Sequence, residues 1–318
     1  MTSVDRGEVV CAILDGEVSK GAAHLAARLA ERLSLRLALV HVQAPVPPPD
    51  LAIAEGPHPV APMAVSLIQP PDRLDPPHAE ADDWEKVLVC SVPIRRDRIL
   101  GRPANALKRL SDAVETRLLV VVDVGGGPLS SKFSGNAARG VIHDAGCPIV
   151  LVAADCPPDH ANVRNILCGL DEDDATSSVA RLAASLAGRL GGRLRFVHVV
   201  RRAVSGAAPE PVALDALHEN GRRAAQAVFA ACRAAIGQRA LAEYVVVEGD
   251  AADGLRVAAR EFDAGLLVIG RPEYAALGSA LLGSAAHDIL RDAGCPVVVV
   301  PVGDAAREDA PARLRDAG

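Results

Sequence analysis

Aromatic side chains are nearly missing from this chain: one Trp, two Tyr and four Phe stand among 318 residues. A core must then be filled by Val, Leu, Ile and Ala, which suits buried parallel strands flanked by Ala/Leu helices. A basic excess is also missing. The formal net charge is −6, which argues against nucleic acid as the main partner, because polyanion binders need a basic face. The seven cysteines (11, 90, 147, 156, 168, 232 and 295) are odd in number and include no Cys-x-x-Cys pair. A disulfide framework and a zinc site of that spacing are therefore not expected. No apolar run approaches the roughly 18 residues that cross a bilayer, so no membrane partner is expected. The start, MTSVDRGE, has no basic-then-apolar leader. The expectation is a reducing, cytoplasmic setting.

What is present is a repeat. DAGCP occurs at 144–148 and again at 292–296. Around it, RGVIHDAGCPIVLV (139–152) and HDILRDAGCPVVVV (287–300) share seven residues of 14. Upstream, RLLVVV (117–122) lies over GLLVIG (265–270), and GRPANALKRL (101–110) over GDAADGLRVA (249–258). Each half opens on an apolar run ending in aspartate, VVCAILD (9–15) and NILCGLD (165–171), and continues to a Val-His-Val at 40–42 and 197–199. The chain reads as a duplication.

Each half then reads β-α-β-α-β-α-β-α-β. In the second, strands are predicted at 165–170, 193–199, 243–248, 265–270 and 297–302. Helices are predicted near 175–190, 212–236, 251–262 and 284–293. Alternation of this kind gives two tandem doubly wound, Rossmann-like α/β domains. Each should hold a five-stranded, mainly parallel sheet with helices on both faces. The domains are expected at 1–154 and 160–303, with a polar tail at 304–318. Residues 43–83 hold eleven prolines, too many for the long second helix of the other half, and read as an extended loop. The stretch 84–100 has apolar runs broken by Pro93 and is not placed. The last strands, 149–153 and 297–302, are apolar throughout and are expected at sheet edges. Covering each other would relieve that liability and make the chain an intramolecular pseudo-dimer.

An open parallel sheet receives ligands at the carboxyl ends of its strands, where strand order reverses. The loop after the fourth strand of the second half, GRPEYAALGSALLGSAAHDIL (270–290), places Gly283-Ser284 at a helix start, where free amides and the helix dipole favour an anion. Read alone, Gly-Ser is more often just an N-cap. The wider pattern resembles the universal stress protein family, in its tandem-domain form, over about 140 residues of each half. ATP-binding members carry Gly-x2-Gly-x9-Gly-Ser/Thr after the fourth strand and an aspartate ending the first. The second half reads Gly270-x2-Glu273-x9-Gly283-Ser284, with Asp171 closing the first strand. The first half reads Val122-x2-Gly125-x9-Gly135-Asn136, with Asp15.

The resemblance implies adenine nucleotide, ATP with Mg²⁺, held in the second half by Asp171, Val199, Gly270, Gly283, Ser284 and Ala285. Two departures bear on it. Val122 adds a branched side chain where the family has glycine, at about 1–2 kcal/mol if the position needs positive φ. Glu273, if it points inward, opposes a phosphate charge by roughly 3 kcal/mol at about 5 Å and an effective dielectric near 20, unless Arg271 or a bound Mg²⁺ offsets it.

Other chemistry is thin. DVGGG (123–127) lacks the Gly-Lys-Ser/Thr ending of a P-loop. The run DEDD (171–174) reads as a solvated helix start before it reads as a metal site. His41 and His198 fall where strand ends pack, and a structural role is the better reading. Cys147 and Cys295, between a helix end and an apolar strand, are expected to be buried and inert. No nucleophile–base–orienter set is visible; Glu273 and Asp123 are the nearest carboxylates to a general base. The leading reading is a non-catalytic, regulatory stress-response protein with an ATP site in its second half. An interaction module without nucleotide and a slow ATPase or nucleotide-dependent transferase stand beside it.

Overall fold

The computed structural model describes residues 7–14, 19–43, 88–123, 141–142, 145–157, 163–172, 176–200, 211–237, 241–271 and 293–301. In the first half these form β1 (Glu8–Ile13), α1 (Lys20–Leu33), β2 (Arg36–Gln43), β3 (Ile94–Leu100), α2 (Pro103–Asp112), β4 (Thr116–Asp123) and β5 (Ile149–Ala153). The second half gives β6 (Asn165–Leu170), α3 (Thr176–Leu190), β7 (Arg193–Val200) and α4 (Pro211–Ile236). It closes with β8 (Glu243–Glu248), α5 (Ala251–Glu261), β9 (Leu266–Gly270) and β10 (Val297–Val300). The insertion 44–83, the predicted helix 284–293 except its last residue, and the tail 304–318 lie outside the described residues.

One ten-stranded sheet runs β3-β2-β1-β4-β5-β10-β9-β6-β7-β8. Within each half the pairing is parallel, as alternating strands and helices require. Between the halves it is antiparallel: Val297 lies opposite Leu151, Val298 opposite Val150 and Val299 opposite Ile149. The strands expected at edges therefore sit at the centre of the sheet, and their unbroken apolar runs are buried on both faces. β3 and β8 are the outer strands.

Helices cover both faces. On one, alanine- and leucine-rich stripes of α1 and α3, with Ala225, Val228, Phe229 and Cys232 of α4, bury Val9, Cys11, Leu37, Val150, Ile166, Phe196 and Val298 in a core that crosses the junction between the halves. On the other, Leu107 of α2 and Leu255, Ala258 and Ala259 of α5 pack on Val121, Ile149, Leu167 and Val297. Three of the four aromatics among the described residues gather in one place. Tyr244 stacks on Phe196 at 5.4 Å and meets the edge of Phe229 at 5.2 Å. Arg233 lies 4.6 Å over the Tyr244 ring.

The repeated motif is used twice with different constraints. Gly294 takes φ +70, a turn that admits glycine without strain. Gly146 is held by crowding instead: a Cβ there would lie 2.8 Å from an Asp112 carboxylate oxygen and 3.1 Å from the Ser111 carbonyl. Pro148 and Pro296 then start β5 and β10, and each proline carbonyl accepts from the neighbouring strand, from Leu119 and Leu267 respectively.

Candidate functional site

In the second half the chain runs β6, β7, β8 outward, then returns to β9 on the other side of β6. The reversal falls between β6 and β9, and the crevice outside their carboxyl ends is where such a sheet takes a ligand. The paired residues run Ile166–Leu266, Leu167–Leu267 and Cys168–Val268. Continuing that register sets Leu170 opposite Gly270, so Asp171 and Arg271 leave adjacent strands side by side. Of the expected site residues, Asp171 and Gly270 are brought together here.

The turn after β6 is tightly held. The exposed Asp171 accepts from the Glu172 amide through Oδ1 at 2.8 Å. Its backbone carbonyl accepts from the hydroxyl of Thr176, the first residue of α3. One residue earlier, the Leu170 carbonyl lies 3.0 Å from Nδ1 of His198, which is buried at the end of β7. On its other side, His198 Nε2 stands 3.9 Å from a Glu172 carboxylate oxygen. Across the mouth, the Arg271 amide donates to the Val300 carbonyl at 2.9 Å.

Val199, also among the expected site residues, is the next-to-last residue of β7. It packs with the α5-side core, and the nearest atoms to a Cβ built on Gly254 of α5 are its two methyl carbons, each at 3.0 Å. Its side chain thus belongs to the strand–helix interface. Gly283, Ser284 and Ala285, with Glu273, lie outside the described residues. The start of α5 is already capped: Asp250 accepts from the amides of Ala252 (2.9 Å) and Asp253 (3.4 Å), which occupies those donors.

The first half departs at two points. Ile13 pairs with His41 as Leu170 pairs with His198. That register matches Asp171 with Leu14, and Asp15 with Glu172. Aligning the two aspartates by sequence is off by one residue; the position that carries Asp171 in the second half carries leucine in the first. At the end of β4, Val122 pairs with Val152 as Gly270 pairs with Val300.

The thiols are buried or protonated. Burial pushes Cys295 up to about 12, with a further push from Cys156, and burial likewise pushes Cys232 up to about 12. Buried Cys168 is raised by the same cause. None of these is a ready nucleophile. Among the described residues no three His, Cys, Asp or Glu gather as a metal site, and no helix is long and apolar enough to cross a membrane. A cleft of about 500 Å³, lined by Arg181, Gly188, Leu194 and Ile236, lies at the amino end of β7, away from this crevice.

The frame and the site define the class: an α/β protein of two halves, each doubly wound, with an open crevice at the carboxyl ends of its inner strands. The sequence pattern of the Universal stress protein family matches residues 6–153 and again 162–301. The chain belongs to that family. A functionally unknown protein from Pseudomonas aeruginosa shares the fold across 98% of this chain and 96% of its own, at 16% identity and a TM-score of 0.58. A universal stress protein from Archaeoglobus fulgidus does so across 95% and 98%, at 14% identity and a TM-score of 0.56. Another from Archaeoglobus fulgidus, solved in complex with dAMP, matches 43% of this chain and 96% of its own at 22% identity and a TM-score of 0.32. No curated protein matches the chain.

Proposed function

We propose that this protein is a non-catalytic, cytoplasmic stress-response regulator that binds one adenine nucleotide per chain, ATP with Mg²⁺, in its second half. The observation that carries this reading is the difference between equivalent positions: Asp171 and Gly270 leave adjacent strands together, whereas the first half has Leu14 and Val122. A carboxylate at a strand end can accept from ribose hydroxyls, and a glycine lets the backbone approach phosphate. Gly283, Ser284 and Ala285 would supply the helix-start amides for the phosphates, where Mg²⁺ would share the charge. The two halves then act as an intramolecular pseudo-dimer with one loaded and one empty crevice.

Two measurements test this. Small molecules released from the heat-denatured, purified protein should include an adenine nucleotide by mass spectrometry. Titration calorimetry of the full chain with MgATP should give a stoichiometry near one. A stoichiometry of two overturns the asymmetry; absence of binding leaves an interaction module without nucleotide.

A further inference from the structure

We propose that His198 is a positioning residue of this crevice, acting through the backbone of β6; the inference rests on the nucleotide reading for its ligand. Nδ1 faces a carbonyl oxygen, which can only accept, so the ring must carry its proton on Nδ1. That N–H fixes the Leu170 carbonyl, and the next carbonyl, of Asp171, is held by the Thr176 hydroxyl. Two successive peptide groups are thereby fixed from two elements, β7 and α3. The direction in which the Asp171 side chain leaves the strand follows from them.

His198 touches no ligand position itself. It is almost fully buried, while Asp171 beyond it is exposed. Placing an imidazole in a core strand position is costly unless its polar atoms are satisfied. Here Nδ1 donates to the Leu170 carbonyl, while the 3.9 Å from Nε2 to the Glu172 carboxylate is beyond hydrogen-bond reach. An apolar side chain would fill the same space without the Nδ1 bond. The histidine therefore contributes a directed bond to the turn that bears Asp171, in addition to its packing.

The test compares His198→Asn, whose side-chain amide can donate from nearly the Nδ1 position, with His198→Leu. In the wild-type chain, ring ¹⁵N spectra should show His198 as the Nδ1–H tautomer, and the Asp171 and Glu172 amides should exchange slowly. His198→Leu should weaken MgATP binding by about tenfold and speed exchange at both amides; His198→Asn should restore most of both. Leu and Asn variants that lose affinity equally, or a Leu variant with unchanged exchange at Asp171, would overturn the proposal. A wild-type chain that binds no nucleotide defeats the functional reading alone, and the tautomer and exchange results still decide the role of His198. If His198→Leu does not fold, the wild-type tautomer and the Asn variant's exchange decide it: an Nε2–H ring overturns the proposal.

Discussion

Near the amino ends of β1, β2 and β3 an ion cluster is built around Glu8; the corresponding ends of β6, β7 and β8 carry the same idea rearranged. Glu8 is buried and is bridged by Arg36 at 3.1 Å and Arg95 at 2.6 Å. By strand register its place in the second half is taken by Asn165, Arg36 becomes Arg193, and Arg95 becomes Glu243. The carboxylate has moved from the inner strand to the outer one. There Glu243 is met by Arg193 at 2.8 Å and Arg195 at 2.5 Å, in an exposed setting. The two arginines also cover the Phe262 ring at 4.9 and 4.2 Å. Asn165, freed of charge, donates to the carbonyls of Phe262 and Asp263 and closes the end of α5. The frame has been kept while the polar chemistry at both ends of the strands was rewritten independently, with Asp171 against Leu14 at the other end.

The largest expected effect tests whether the halves are one folding unit. Val299 is buried between Ile149 and Ile269 in an apolar cluster. Val299→Asp should destabilise the whole chain by about 4 kcal/mol, in a single calorimetric transition. Two transitions with only one shifted would separate the halves.

Next comes the ion cluster. Glu8→Gln should cost about 2 kcal/mol in denaturant unfolding, because Arg36 and Arg95 then face a buried neutral amide, although Arg95 keeps its pairing with Asp97. Their own partial exposure keeps the figure below that of a fully buried pair. Glu243→Gln should cost less than about 1 kcal/mol, as exposed pairs do. Equal losses would mean that burial does not distinguish the clusters.

At the crevice, Asp171→Leu copies the first half into the second and should weaken MgATP by roughly tenfold to a hundredfold, the value of a charged hydrogen bond. Leu14→Val should leave binding as it was. A smaller change, about tenfold tighter, is expected for Glu273→Gly, which restores the full glycine pattern and removes a negative charge. An unchanged affinity would show that this carboxylate points away from the phosphates.

The smallest effect is acid sensitivity. The hydrogen bonds from Arg193 and then Arg195 hold the Glu243 carboxyl below its ordinary 4.5. A depressed carboxylate contributes its stability above that ordinary value and loses it as pH falls through the depressed one. Wild type should therefore lose slightly more stability than Glu243→Gln on acidification below about pH 4.5. Parallel curves would remove the contribution.

The strands at 149–153, 165–170 and 243–248 were legible because their apolar residues form short, bounded runs. β3 was not. Its sequence, IRRDRIL, is an outer strand whose charged residues blunt an open edge, so the apolar signal is absent where the strand is real. The mismatch of Asp15 with Asp171 has a related cause. An apolar run looks the same when slid by one residue, and the ending Leu-Asp invites the wrong alignment. Only the partner strand, through His41 and His198, fixes the register. The sequence places His198 at a strand end, where a structural role is expected, yet its bond to the neighbouring strand's carbonyl has no sequence signature.

The antiparallel meeting of β5 and β10 gives the molecule a head and a tail. Because every other neighbouring pair is parallel, the carboxyl ends of the first half's strands point one way and those of the second half's the other. In a symmetric pair of identical halves the two poles would be interchangeable. Here they are not: one pole presents Asp171 and Gly270, the opposite pole Leu14 and Val122. A molecule of this build can be approached from either end and be told apart, which gives direction to a chain that began as a copy of itself.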